Sequence, residues 1–335
     1  MKKLLFLIFT LPLLVYSQDE SRLALVIGNT NYPGDERLPN AEKDAILIAE
    51  TLDSLKFETH KYLNLESRDA FYNCIDNFFD LRDSLKPKVT FIYYAGHGVQ
   101  FDGVNYLIPT KNNIDCIDKV RREGIPAQDF IEGLKQTSEG NSNIVVLDAC
   151  RNSPYPKCKK SRSGANTKSG LVRIQPSQGL LIAFSTDPGE VASDGESDNS
   201  PYASALSKYL LQEGLEIRNV FMKVRLDVEK IEPGQSPDTR DKLQGDLYLK
   251  ERSFNKEFDE IELLHDQEKY IDALIKTTEI ITLDPINIDA FNQKGLIYND
   301  LEQYDQALAM YDKCIELDPE YIRAYNNKGL IYSDL

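Results

Sequence analysis

Cysteine is sparse in this chain: five in 335 residues, at Cys74, Cys116, Cys150, Cys158 and Cys314. No Cys-x-x-Cys pair and no metal-ligand spacing occurs, which excludes a disulfide scaffold and a cysteine metal module. The odd count leaves at least one thiol free or joined to another chain. Histidine is scarcer still, at three: His60, His97 and His265. Basic charge is also in deficit, with 39 Lys and Arg against 54 Asp and Glu, a formal charge of −15. General nucleic-acid binding needs a basic footprint, and this balance argues against it. The acidity reads first as a device for solubility. Beyond the N-terminal segment no apolar run is long enough to cross a bilayer.

What is present begins with a leader. Lys2 and Lys3 precede an apolar stretch from Leu4 to Val15, and Val15 and Ser17 are small enough for the −3 and −1 positions of a cleavage site. Residues 1–17 therefore read as a secretory signal peptide. No cysteine follows the apolar stretch, so lipid attachment is not indicated. The mature chain is expected to be soluble and secreted or periplasmic. Apolar residues at 41% and charged residues at 28% are ordinary for globular protein, and the length admits two domains.

Residues 22–250 read as one α/β domain. Leu23–Ile27, Phe57–Leu63, Val89–Tyr94, Asn143–Leu147 and Gly179–Phe184 are apolar runs of strand length. Between and after them, Ala41–Leu55, Arg68–Leu85, Asp129–Leu134, Tyr202–Leu211 and Arg218–Ile231 carry helical spacing. A hairpin is expected over Val99–Ile108, around Asp102-Gly103. Strands alternating with helices imply a mostly parallel sheet flanked by helices, with ligands beyond the carboxyl ends of the strands. His97 and Cys150 each fall just past the end of an expected central strand, so residues 53 apart can meet at one sheet edge.

A thiol attacks a carbonyl as thiolate, and needs a base beside it and donors for the oxyanion. His97 stands between Gly96 and Gly98, which let the backbone turn sharply and approach a substrate closely. The amides of Gly98 and Cys150 are the expected oxyanion donors. Cys150 taken alone reads as a small buried hydrophobe. Placed 53 residues after Gly-His-Gly, it reads as a nucleophile with His97 as its base. His60 and His265 fall in an expected strand and helix and read as structural.

The segment Asp148-Ala-Cys-Arg-Asn152 shares the Ala-Cys-Arg core and the His-to-Cys spacing of the caspase signature, with Asp for Gln and Asn for Gly. To it are added Ala24-Leu-Val-Ile-Gly-Asn29 with Tyr32, Leu38-Pro-Asn-Ala-Glu-Lys-Asp-Ala45, Tyr93-Tyr-Ala-Gly-His-Gly98, Ser185-Thr-Asp-Pro-Gly189, Ser200-Pro-Tyr-Ala-Ser-Ala-Leu206 and Gly245-Asp-Leu-Tyr248. Over residues 22–250 the chain resembles the caspase-like cysteine peptidases, nearest their paracaspase and metacaspase branches and of bacterial type. The resemblance implies an endopeptidase with a His97–Cys150 dyad. Those branches carry Asp two residues before the nucleophile and select Arg or Lys, whereas true caspases select Asp through basic pocket residues. Asp148 holds that acidic position, Asp44 matches a second, and Glu190 or Asp194 a third. A buried carboxylate calls for a cationic partner, and a substrate guanidinium supplies one bidentately.

Residues 153–178 hold Lys157, Lys159, Lys160, Arg162, Lys168 and Arg173 and no Asp or Glu. The family often cuts the segment after its nucleophile, so self-cleavage between 157 and 173 is expected. No cofactor is implied. Related branches sometimes need calcium; no Asp-x-Asp-x-Asp-Gly loop is present, and calcium dependence stays open.

Residues 254–335 repeat with a period of 34. Tyr270, Ala273 and Pro285 recur as Tyr304, Ala307 and Pro319, and Gly295 as Gly329. This placement resembles the tetratricopeptide repeat. A third repeat stops inside its first helix, so the chain is expected to be a fragment of a longer one. The resemblance implies an all-α solenoid for a protein partner, beside a domain that takes a protein or peptide substrate. Nucleic acid and a membrane span after leader removal are not expected. The rival reading is a non-catalytic scaffold of caspase fold, since fold alone does not fix function.

Overall fold

The computed structural model describes residues 21–34, 37–135, 140–150, 171–187 and 197–334, the side chains of Cys150 and Asp334 apart. The chain divides into two compact units, Met1–Glu251 and Arg252–Leu335.

In the first unit the strands are β1 (Arg22–Gly28), β2 (Glu58–Leu63), β3 (Val89–Phe101), β4 (Val104–Leu107), β5 (Ile125–Pro126), β6 (Ser142–Cys150), β7 (Leu180–Phe184) and β8 (Asp238–Asp241). Its helices are α1 (Ala41–Ser54), α2 (Arg68–Leu85), α3 (Val120–Glu123), α4 (Ala127–Leu134), α5 (Pro201–Leu210) and α6 (Ile217–Ile231). The sheet runs β2-β1-β3-β6-β7-β8, parallel throughout except for β8, which lies antiparallel to β7. β4 turns back antiparallel on the far half of β3, and β5 pairs with β4.

Both faces of a parallel sheet are covered, which is why its central strands are apolar without alternation. Ala24, Val26, Phe91, Tyr93, Val146 and Ala183 pack beneath α1, α5 and α6. Leu25, Ile27, Ile92, Tyr94, Val145 and Ile182 pack on the opposite face with α2 and α4. Local chemistry bounds the helices. The Ser67 Oγ accepts the Ala70 N–H to open α2, and Lys86 closes it in the left-handed region at φ 49°. Ser200 caps α5 in the same way, with Pro201 at its first turn.

Two features depart from the sequence reading. The expected strand end before His97 is absent: β3 continues through Ala95, Gly96, His97 and Gly98 into the hairpin, where Asp102 and Gly103 take positive φ as expected. Pairing with β6 on one side and β4 on the other keeps these residues extended. The edge strand β8, Asp-Thr-Arg-Asp, has no apolar pattern and is a strand only because β7 offers it a partner.

The second unit is five helices, α7 (Asn255–Asp266), α8 (Tyr270–Leu283), α9 (Ile288–Asp300), α10 (Tyr304–Leu317) and α11 (Ile322–Asp334). The period is visible in the backbone, since Glu268 and Glu302 each turn a helical hairpin at φ 57°. Ala273, Ala290, Ala307 and Ala324 are all fully buried. Gly295 lets α9 meet α10: a Cβ there would stand 2.5 Å from the Tyr311 ring.

Candidate active site at the carboxyl end of the sheet

β3 and β6 run side by side until His97 and Cys150 face each other as Cα partners, so their backbones lie about 4.8 Å apart. His97 is 8% exposed. The two residues that sequence reading paired are thus register neighbours at the last rung of the central strand pair. His60 and His265 lie elsewhere, against Glu58 and Asp300 respectively.

The backbone around His97 has a defined polarity. Ala95 gives its carbonyl to the Asn29 N–H at 2.9 Å, and His97 gives its carbonyl to the Ile108 N–H at 3.1 Å. These residues therefore face β1 and β4. Gly98, opposite Leu107, is the rung between bonded pairs. Its N–H is turned away from β4, to the side on which β6 ends.

Asp148 lies two residues before Cys150, opposite Ala95, and is half-buried. The Tyr93 hydroxyl donates to its Oδ2 at 2.8 Å. Burial first, then the nearby carboxyls of Asp148 and Asp44, push the Tyr93 phenol well above its ordinary range, so it remains a donor. Asp44, on α1, is 3% exposed and reaches the same neighbourhood. Its Oδ1 accepts the Asn199 side-chain amide at 3.0 Å and the Ser200 N–H at 2.9 Å. Asp44 thus anchors the start of α5 as well as facing Tyr93. Tyr202 of α5 belongs to the same cluster. Ser185 and Thr186, just past β7 and next to the Asp148 rung, are fully buried, and their hydroxyls have no hydrogen-bond partner among the described residues. Sequence reading missed the roles of Tyr93, Asn199 and Ser200, although all lie in or beside the stretches it singled out.

Glu190 and Asp194 lie outside the described residues, as do Lys157 to Lys168 of the basic loop. Arg173 is described, and it pairs with Asp238 at 3.4 Å. Cys116 is disulfide-bonded, while Cys74 and Cys314 are buried and free. Among the described residues no three His, Cys, Asp or Glu side chains gather as for a metal ion, and no helix is long and apolar enough to cross a membrane.

The caspase-domain family model matches residues 21–248, more than half of the chain. The chain belongs to the caspase-domain family. A tetratricopeptide repeat model matches residues 288–321, within the helical unit. The caspase-domain chain is 30% identical over 132 residues to the human mucosa-associated lymphoid tissue lymphoma translocation protein 1, and likewise to its mouse homolog. Each alignment takes in 39% of this chain and only 15% of the relative's length. Among solved structures, caspase-1 from Spodoptera frugiperda superposes with a TM-score of 0.52 at 17% identity, covering 70% of this chain and 91% of that one. At that identity the likeness is one of fold, and it agrees with the mostly parallel, helix-flanked sheet.

Proposed function

We propose that this chain is a cysteine endopeptidase that cuts proteins after Arg or Lys. The observation that carries the reading is the register pairing of His97 with Cys150 beside an acidic, half-buried Asp148. His97 takes the proton of the Cys150 thiol, and the thiolate attacks the scissile carbonyl. The oxyanion is met by the N–H of Gly98, which faces the β6 side, and by that of Cys150. The imidazolium then returns the proton to the leaving amine, and a water activated by His97 hydrolyses the thioester.

Asp148 and Asp44, with Glu190 as a third acidic group, receive the cationic side chain before the scissile bond. Tyr93 supports this role by holding Oδ2 of Asp148 and so orienting the carboxylate toward a guanidinium. Self-cleavage falls within the basic stretch 157–173 on this reading. The helical repeats hold a protein partner, and the leader sends the enzyme out of the cytoplasm.

The test is hydrolysis of fluorogenic peptides ending in Arg, Lys or Asp by the mature protein, by Cys150→Ala and by Asp148→Ala, with calcium and reductant present. Cleavage after Arg or Lys is expected, abolished in Cys150→Ala. In Asp148→Ala the kcat/KM falls about 100-fold, the scale of a buried charge pair losing one partner. Folded protein silent on all three peptides would favour the scaffold reading; cleavage after Asp would refute the acidic pocket.

A further inference from the structure

The stretch from Gly28 to Tyr32 has no part in the chemistry above, yet it ends on the base. The Tyr32 oxygen accepts the His97 N–H at 2.9 Å, and the same hydroxyl donates to the Ile108 carbonyl at 2.9 Å. His97 and Ile108 stand one position beyond the last β3–β4 pair, with the Ile108 N–H on the His97 carbonyl. In a regular antiparallel rung the other bond would run directly from the His97 N–H to the Ile108 carbonyl. Here the Tyr32 oxygen stands between them and carries the link through itself. From the same side, the Tyr94 hydroxyl donates to the His97 carbonyl at 2.8 Å. Both ends of the His97 residue are therefore held by tyrosine hydroxyls, themselves 3.4 Å apart.

The rest of the neighbourhood is shaped around this arrangement. A Cβ at Gly96 would come 2.6 Å from the Tyr94 oxygen and 2.9 Å from the Tyr32 oxygen, so only glycine leaves room for both. The Tyr32 ring lies against the imidazole, with centroids 4.2 Å apart and planes at 56°. Asn29 fixes the loop that carries Tyr32: its side-chain amide donates to the Ile108 carbonyl at 3.2 Å, and its Oδ1 accepts the Leu65 N–H at 2.9 Å. Tyr32 and Tyr94 are 4% and 0% exposed, so the hydroxyls work in a site closed to bulk water.

We propose that Tyr32 and Tyr94 are positioning residues for His97, their hydroxyls setting the peptide plane and strand separation from which the imidazole is aimed. The inference rests on the peptidase reading. Without the Tyr32 oxygen, β3 and β4 can close to an ordinary rung and the imidazole swings with its backbone. The ladder regains a direct bond, so the aim of the base changes more than the stability of the fold.

The experiment uses the full mature chain and the variants Tyr32→Phe, Tyr94→Phe, the double variant and Tyr72→Phe. The last deletes a comparable hydroxyl on α2 that donates to Asp129 at 2.6 Å, away from the site. In each single variant kcat on an Arg peptide falls about tenfold or more while KM stays within about twofold, the signature of a misaimed reacting group. Iodoacetamide alkylation of Cys150 slows by the same factor, and Tm falls no further than in Tyr72→Phe, which keeps wild-type kcat. A double variant with kcat within about twofold of wild type overturns the inference and leaves the peptidase reading standing. So does a loss confined to KM, or an equal kcat loss in Tyr72→Phe. Wild-type protein that cleaves nothing, and whose Cys150 is alkylated no faster than in His97→Ala, removes both.

Discussion

Cys74 faces the sheet from α2 and is 2% exposed; burial pushes its thiol up to about 12. Cys314, fully buried in α10, is pushed up to about 11, by burial first and by the Asp289 charge second. Only the thiolate reacts. At pH 7.5 neither residue should be modified by iodoacetamide in the folded protein, and both should be modified in urea, as read by peptide mass spectrometry. Labelling of Cys74 without denaturant would mean that α2 opens far more readily than its packing implies. At this scale the sequence showed which residues meet: His97 and Cys150, with Asp148 beside them, could be placed together because the motif holds their spacing. The purpose of Tyr32 could not be read, although it stood in a quoted stretch. Its hydroxyl acts on a peptide 65 positions away, and no local pattern encodes that contact.

Among elements, the start of α5 shows how the proposed pocket and the fold would share a side chain. The Asp44 Oδ1 takes the Ser200 N–H, while the Ser200 Oγ caps the helix by accepting from Ala203. Asp44→Ala leaves that buried amide without its acceptor and should cost about 1–3 kcal/mol in urea denaturation, on top of any loss of Arg cleavage. Unchanged stability with reduced cleavage would make Asp44 a pocket group alone. The boundaries that could be read in advance were those with local chemistry. α2 spans Arg68–Leu85 as its spacing predicts, between a serine cap and a left-handed lysine. β3 was read too short because Ala-Gly-His-Gly has the composition of a turn, and only its neighbours on both sides hold it straight. β8 was not anticipated for the same reason: its pairing is tertiary.

Across the whole molecule, both units bury groups that resist losing a proton. In the first, Tyr72 and Cys74 are each raised to about 12; in the second, Cys314 to about 11 and Tyr321 to about 12. Unfolded, cysteine titrates near about 8.5 and tyrosine near about 10. The folded state thus keeps protons that the unfolded state has released, so stability falls as pH rises through about 8.5 to 12. Urea midpoints should decline steadily from pH 8.5 upward, for probes in either unit; a flat profile to pH 11 would contradict the burial of these groups.

In mechanical terms β3 is a beam. Its first half is clamped between β1 and β6, its far half is pinned by β4, and the Tyr32 oxygen is a shim at the joint. A beam held this way does not flex at one residue; moving His97 means prying open the sheet. Its register partner Cys150 is the final residue of β6. Of this register pair, the histidine is the member built into the span, with chain held in the sheet on both sides of it.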